Sequence, residues 1–102
     1  MKASEKAIEL IKTYEGFRSK PYLCPAGKWT IGYGTTKRIT SKTPAVTRQQ
    51  ALDMMKNDLI DIESDINFLV KVPMTQGMFD ALVSFCYNLG TDIDEDKIAE
   101  VS

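Results

Sequence analysis

Histidine is absent from this chain of 102 residues, and cysteine occurs only twice, as Cys24 and Cys86. Without histidine the chain cannot supply a Ser-His-Asp triad, and two distant cysteines lack both the spacing of a zinc site and the number of a disulfide framework. No apolar run approaches the roughly 20 residues that a membrane-spanning helix needs. We therefore expect no metal, no cofactor, no membrane insertion and no secretory signal.

Charge is divided unevenly along the chain. The composition, 43% hydrophobic and 26% charged, is that of one ordinary globular domain. Residues 1–49 carry a net charge of +7 and residues 50–102 carry -8. A basic half suits a polyanion such as nucleic acid or a cell-wall polymer, but it is equally typical of a solvated surface. Because no known nucleic-acid-binding motif appears, we expect no nucleic-acid partner.

The first predicted element is a short amphipathic helix from Ser4 to about Tyr14. Serine is a favourable N-cap, and the helix should end at Glu15-Gly16, because glycine tolerates the backbone angles of a helix end. Glu15 would then lie at a junction between helix and loop. The apolar residues at helical spacing are Ala7, Ile8, Ile11 and Tyr14.

Residues 17–40 predict a small twisted sheet, because proline and glycine separate short aromatic and β-branched runs. The expected strands are Tyr22-Leu23 and Trp29 to Tyr33, joined by a turn at residues 25–28, with a third near residues 37–39. Trp29 should point away from Thr30, into packing. Gly32 and Gly34 would leave one face bare, which either brings the backbone close to a flat ligand such as a sugar ring or only shapes a tight sheet.

Two further helices are predicted. Thr47 and Gln50 form a capping box that opens a helix over about residues 48–70, long enough to tie two lobes together, while a coiled coil would need more heptads. After Val72-Pro73, Thr75 should cap another helix that stops at Asn88-Leu89-Gly90, and residues 91–102 predict a frayed ending. The apolar stripe of the long helix is Leu52, Met55, Leu59, Ile62, Ile66 and Leu69, and the face of the next is Phe79, Leu82, Val83 and Cys86.

The segment from Glu15 to Thr35 resembles a known family. Its pattern Glu-Gly-x-Arg-x-Lys-x-Tyr, followed by Gly-x-x-Thr-Ile-Gly-Tyr-Gly-Thr, is similar to the N-terminal lobe of phage-type lysozymes, the endolysins of glycoside hydrolase family 24. The resemblance continues through the long helix to the stretch from Phe79 to Gly90. It implies an α+β lysozyme-like fold in one domain: residues 1–46 as helix and β lobe, 47–71 as connecting helix and 72–102 as a partial helical lobe.

The resemblance also implies the site. The family's spacing of Glu, eight residues, usually Asp, five residues and Thr places the catalytic set on Glu15, Cys24 and Thr30. Glu15 would be the general acid and Thr30 would hold the attacking water. A thiol carries less negative charge than aspartate unless nearby cations lower its pKa, so Cys24 could be a base, a nucleophile or a spectator. The residues that match substrate-binding positions are Gly34, Thr36, Tyr87 and Asn88.

The implied activity is that of a bacteriolytic glycosidase, a muramidase that hydrolyses the β-1,4 bond between N-acetylmuramic acid and N-acetylglucosamine in peptidoglycan. A weak or inactive peptidoglycan-binding fragment is the alternative, because Cys24 replaces Asp and family members have a longer helical lobe. Such an enzyme would accumulate in the host cytoplasm and reach the wall after membrane permeabilisation. The face of Phe79, Leu82 and Val83 would be covered by a homodimer, by collapse onto residues 52–69, or in a longer gene product.

Overall fold

The computed structural model describes residues 1–92, which form three helices and one two-stranded sheet. In chain order these are α1 Glu5–Glu15, β1 Arg18–Leu23, β2 Trp29–Gly32, α2 Arg48–Leu69 and α3 Gln76–Asp92. The α+β class predicted from the sequence is therefore confirmed. The frayed ending expected at the C-terminus lies, from residue 93 onwards, outside the described residues.

Helix α1 begins and ends as its sequence predicts. The Ser4 hydroxyl accepts a hydrogen bond from the Ala7 amide at 3.3 Å, which satisfies one of the unpaired donors of the first turn. Gly16, at φ 71°, closes the last turn by donating its amide to the Lys12 carbonyl at 2.9 Å. Glu15 is thus fixed at a helix end. Tyr14, expected on the apolar face, is exposed instead, because that face needs only Ala7, Ile8 and Ile11.

Strands β1 and β2 form an antiparallel hairpin whose register pairs Tyr22 with Thr30 and Leu23 with Trp29. The register shifts between Arg18 and Tyr22, an interval that contains Pro21, which has no amide hydrogen to donate to the ladder. Trp29 is partly exposed rather than packed, because its neighbour across the strands, Leu23, also faces solvent.

The prediction of a third strand near residues 37–39 was wrong. The chain turns there, with Arg38 at φ 60° in the left-handed region and the Ile39 amide donating to the Thr36 carbonyl at 3.4 Å. A single bridge, Ile31 with Thr35, continues the sheet beyond β2. A backbone that reverses at Arg38 cannot also extend along β2.

Helix α2 carries the predicted capping box. The Gln50 amide donates to the Thr47 hydroxyl at 3.1 Å, and the Thr47 amide donates to the Gln50 side chain at 2.9 Å. Met55, Leu59 and Ile66 are buried as expected, together with Ala51, which the stripe did not include. Leu69 was expected in the stripe but is 74% exposed, because it is the last residue of the helix.

Helix α3 starts at the predicted cap, where the Met78 amide donates to the Thr75 hydroxyl at 3.2 Å. It does not stop at Asn88 to Gly90 but continues to Asp92, since a glycine weakens a helix by only about 1 kcal/mol. Phe79, Val83 and Tyr87 are buried in one core with α1 and α2. Leu82, predicted on the apolar face, is 37% exposed, and Cys86 is half-buried against the core. The buried face instead includes Tyr87, which the prediction left out.

The expected homodimer is not supported. Phe79 and Val83, the centre of the face that would have needed a partner, are completely buried against α1 and α2 of the same chain. The collapse onto residues 52–69 is therefore the alternative that the structure adopts. Within residues 1–92, no helix combines the length and the apolar character that crossing a bilayer requires.

The N-terminal segment ties α1 to the other two helices. The Asp80 carboxylate of α3 accepts hydrogen bonds from the backbone amide and the hydroxyl of Ser4. On α2, the Glu63 carboxylate accepts the Ala3 amide, and Asn67 bonds to both the amino group and the carbonyl of Met1. These contacts fix the start of α1 relative to α2 and α3, and Glu15 lies at the other end of the same helix.

Candidate active site

Cys24 and Thr30 lie next to each other at the end of the hairpin. Cys24 follows β1, donates its amide to the Lys28 carbonyl at 2.9 Å and accepts the Gly27 amide at 2.8 Å, so a tight turn holds it. Thr30 lies on β2 and donates its hydroxyl to the same Lys28 carbonyl at 3.0 Å. Both side chains are covered: Cys24 is 7% exposed and Thr30 is 1% exposed.

The turn favours the thiolate of Cys24. Burial alone would raise the pKa of this thiol, but hydrogen bonds from the Lys28 backbone, the Thr30 hydroxyl and the Ala26 backbone, with the Lys28 charge, bring the pKa below its ordinary value. The Thr30 hydroxyl has one proton, so it serves either the Lys28 carbonyl or the Cys24 sulfur. The pair can therefore rearrange without moving the backbone.

Tyr87 connects the helices to the loop that follows β2. Its hydroxyl donates to the Tyr33 carbonyl, and the Tyr33 ring packs on Phe17 with centroids 5.6 Å apart. Burial raises the pKa of Tyr87 above its usual range, and the negative charges of Asp58 and Glu15 raise it further. Glu15, at the end of α1, is thus within electrostatic reach of the Tyr87 hydroxyl.

A cleft of about 330 Å³ lies between the loop after β2 and helices α2 and α3. Three of the four residues expected to bind substrate line it: Gly34, Thr36 and Tyr87. Lys28, from the turn that holds Cys24, lines its rim. The cleft therefore adjoins the hairpin end that carries Cys24 and Thr30.

Asn88 does not line this cleft with the others. It faces a second groove of about 520 Å³ between α1 and α3, where its neighbours include Leu10 and Phe85. Successive residues of a helix point about 100° apart, so Tyr87 and Asn88 serve different sides of α3. The family resemblance had matched both residues to positions that line one cleft, whereas here they line different ones.

Gly32 serves the packing of the sheet rather than a ligand. At φ 67° it has a conformation that other residues rarely adopt, and a Cβ placed there would lie 2.8 Å from the Ala51 Cβ of α2. Close packing of β2 on α2 therefore accounts for a glycine at position 32. Gly34, by contrast, borders the cleft.

Two polar residues, Asp58 in the lining of the cleft and Thr35 beside it, were not singled out from the sequence. Thr35 is buried, and its hydroxyl lies near the Asp58 carboxyl and the Tyr87 hydroxyl. Burial raises the pKa of both groups, and Thr35 opposes that rise. Asp58 carried a readable signal: it stands three residues after Met55 and four before Ile62, a carboxylate within the apolar stripe of α2. A polar residue in that position must meet a polar partner or a cavity.

Some of the basic side chains of residues 1–49 contact aromatic rings or carboxylates of the same chain. The Arg18 guanidinium lies 4.7 Å from the centre of the Tyr22 ring, and that of Arg48 lies 4.6 Å from the centre of the Phe17 ring. Lys37 pairs with Asp61 at 2.9 Å. Over the described part of the chain, no group of three or more His, Cys, Asp or Glu side chains is arranged to hold a metal ion.

Comparison with known proteins identifies the relatives of this fold. The family model described as phage lysozyme matches residues 12–99. The chain belongs to the phage lysozyme family. It is 41% identical over 90 residues to an endolysin of Acyrthosiphon pisum secondary endosymbiont phage 1, covering 88% of this chain and 61% of that protein. It is 42% identical over 92 residues to an endolysin of Bacillus phage PZA, covering 88% of this chain and 36% of that protein.

The solved structures agree with the sequence relatives. The muramidase domain of SpmX from Asticaccaulis excentricus superposes with a TM-score of 0.78 at 43% identity, covering 88% of this chain and 60% of that one. The lysozyme-like fold expected from the resemblance is thus confirmed. The chain spans about six-tenths or less of the length of these two endolysins and of the muramidase domain.

Proposed function

We propose that this chain is a muramidase that hydrolyses the β-1,4 bond between N-acetylmuramic acid and N-acetylglucosamine in bacterial peptidoglycan. The observation that carries the proposal is the family spacing of Glu15, Cys24 and Thr30, and a cleft lined by Gly34, Thr36 and Tyr87 supports it. The names of the relatives, endolysin and muramidase domain, support the same reaction.

Glu15 is proposed as the general acid. From the end of α1 its charge reaches the Tyr87 hydroxyl at the cleft. In the proposed reaction its proton passes to the glycosidic oxygen as the bond from that oxygen to C1 of the sugar breaks. The oxygen of a water molecule then bonds to C1. Thr30 is proposed to orient that water, because its hydroxyl can both donate and accept a hydrogen bond.

Cys24 is proposed as the base that accepts the proton of the attacking water. The Lys28 turn and the Thr30 hydroxyl lower the pKa of its thiol, so a larger fraction is thiolate at neutral pH than for an ordinary cysteine. A thiolate next to Thr30 holds negative charge where the family usually has aspartate. It can therefore take the proton or stabilise the positive charge that develops on the sugar.

A peptidoglycan-binding fragment with little turnover is the second candidate. The specific observation in its favour is the burial of Thr30, 1% exposed, because a water molecule must reach this hydroxyl for hydrolysis. This candidate keeps the cleft and its affinity for glycan but lacks the chemical step.

The test is release of muropeptides from purified peptidoglycan, with the new reducing ends identified by mass spectrometry. We expect N-acetylmuramic acid ends from the wild-type chain and a loss of about 100-fold or more in Glu15→Gln, which cannot donate the proton. Glu9→Gln is the matched control, because Glu9 lies on the same helix with its side chain 66% exposed, and it should keep full activity. Sedimentation with peptidoglycan without any release would instead establish the binding fragment.

The cellular setting follows from this proposal. Peptidoglycan is the proposed partner, and the enzyme is proposed to accumulate in the cytoplasm of the bacterial host until another protein permeabilises the membrane. Fractionation of expressing cells, followed by an assay of wall lysis with and without membrane disruption, tests both points. Lysis of expressing cells whose membrane has not been disrupted would contradict this order of events.

A further inference from the structure

The floor of the cleft is a rigid turn. Ile31 and Thr35 exchange two backbone hydrogen bonds of 2.9 Å, which hold Gly34 between them at φ 93°. The Tyr87 hydroxyl fixes the same turn through the Tyr33 carbonyl. A ligand over Gly34 would therefore meet a backbone that is already in place, so little conformational entropy would be lost there on binding.

One wall of the cleft presents the carboxyl group of Asp58. Its side chain is 17% exposed, which leaves the group open to the cleft but mostly surrounded by protein. Lys37 is 3.9 Å from Asp58 but 2.9 Å from Asp61, so the lysine is committed mainly to the outer carboxylate. Burial raises the pKa of Asp58, while Lys37 and the Thr35 hydroxyl lower it.

Asp58 keeps hydrogen-bond capacity that the protein does not use fully. A carboxylate has about four acceptor positions, and the groups that lower the pKa of this one are the Lys37 ammonium, 3.9 Å away, and the Thr35 hydroxyl. The Thr35 hydroxyl is buried and makes no hydrogen bond of ordinary geometry in the described part of the chain. Buried polar groups that remain partly unsatisfied beside a cavity are typical of ligand sites.

We propose that Asp58 is a glycan-binding residue, whose carboxylate accepts a hydrogen bond from a hydroxyl or N-acetyl N–H group of a sugar lying over Gly34. This inference rests on the proposed function and adds a contact on α2 to those expected from the loop and α3. A partly buried acceptor discriminates strongly, because a ligand without a donor would leave it unpaired.

The test uses tri-N-acetylchitotriose, a soluble β-1,4-linked trimer of N-acetylglucosamine, and the full chain. We expect Asp58→Asn to raise the dissociation constant of the trimer about tenfold and to raise KM on peptidoglycan with kcat nearly unchanged. Asp53→Asn is the matched control: Asp53 is an exposed carboxylate on the same helix that does not line the cleft, so the affinity should stay within about twofold.

A measurement on the wild-type chain guards against a variant that does not fold. The carboxyl carbon resonance of Asp58 should shift as the trimer is added, and that of Asp53, which does not line the cleft, should not. An unchanged resonance, or unchanged affinity in a folded Asp58→Asn chain, would overturn the inference and leave the muramidase proposal standing. Affinity that depends on Asp58 without hydrolysis would support the inference and defeat the muramidase. A wild-type chain that neither binds nor cleaves would defeat both.

Discussion

The two cysteines of this chain differ in what surrounds their sulfur atoms. Cys24 sits in a turn whose backbone amides and Thr30 hydroxyl stabilise the thiolate, so its pKa is lowered despite burial. Cys86 lies on α3, where burial and then the negative charge of Asp65 raise the pKa of its thiol. The same side chain is therefore prepared for different chemistry by its immediate neighbours.

This difference predicts the order in which the thiols react. In native protein, the rate of alkylation by iodoacetamide should reach half its maximum at a lower pH for Cys24 than for Cys86, because only the thiolate attacks. Peptide mapping by mass spectrometry across a pH series measures both midpoints in one sample. In the unfolded chain the two midpoints should coincide, and a native Cys24 midpoint at or above that of Cys86 would refute the assignment.

At the scale of elements, β2 comes close to α2 where Gly32 faces Ala51. Gly32→Ala should lower the free energy of unfolding by about 2–4 kcal/mol, because the new methyl group meets Ala51 at 2.8 Å and the φ of 67° is strained for alanine. Gly27→Ala is the matched control, since its φ is 81° with nothing within 4 Å of the added Cβ. It should cost only about 1 kcal/mol in urea denaturation; equal losses would refute the steric part.

The contact between the N-terminal segment and α3 predicts a dependence of stability on pH. Burial alone would raise the pKa of Asp80, but the Ser4 hydroxyl and amide, the Gln76 amide and the Lys6 charge lower it below its usual value. Because the folded pKa lies below the unfolded one, Asp80 stabilises the fold fully above the unfolded pKa of about 3.9, and this is lost as pH falls through the folded pKa.

Asp80→Asn should therefore be less stable than wild type at neutral pH, by about 1 kcal/mol, and the gap should close in acid. Denaturant titrations of both proteins at a series of pH values measure the difference. Asp53→Asn is a suitable control, because Asp53 is an exposed carboxylate on α2. It accepts a hydrogen bond from the side chain of Gln49, one turn earlier on the same helix. A gap that stays constant with pH would rule out the ionised form of Asp80 as its cause.

The elements differ in how far the sequence predicts them. The caps at Ser4, Thr47 and Thr75 follow from residues within one turn, so the helix starts were predicted correctly. Arg38 turns the chain back where a third strand was expected, and its left-handed φ is not encoded by its own side chain. The predicted catalytic spacing is visible in the sequence, whereas Asp58 and Thr35 meet only because α2 packs on the loop after β2.

For the molecule as a whole, one core joins all three helices. Phe79 is completely buried at its centre, with α1 on one side and α2 on the other, while Phe85 on the same helix is 61% exposed. Phe79→Ala should cost about 3–5 kcal/mol, and the chain should still unfold in a single transition. Phe85→Ala should change the free energy of unfolding by less than about 0.5 kcal/mol.

Differential scanning calorimetry measures both variants. Two separate transitions in the wild-type chain, or a Phe79→Ala chain as stable as Phe85→Ala, would show that α3 is not part of the common core. The uneven charge would then have to be explained by two weakly joined halves rather than by one folded unit.

The hydrogen bond from Tyr87 to Tyr33 also says something about synthesis on the ribosome. Its partners are 54 positions apart, so the bond forms only after α3 has emerged and closed a long loop onto the hairpin. Glu15, Cys24 and Thr30 are translated long before that. For a time the nascent chain therefore holds its proposed catalytic side chains without α3, and translation of α3 is the event that completes the cleft.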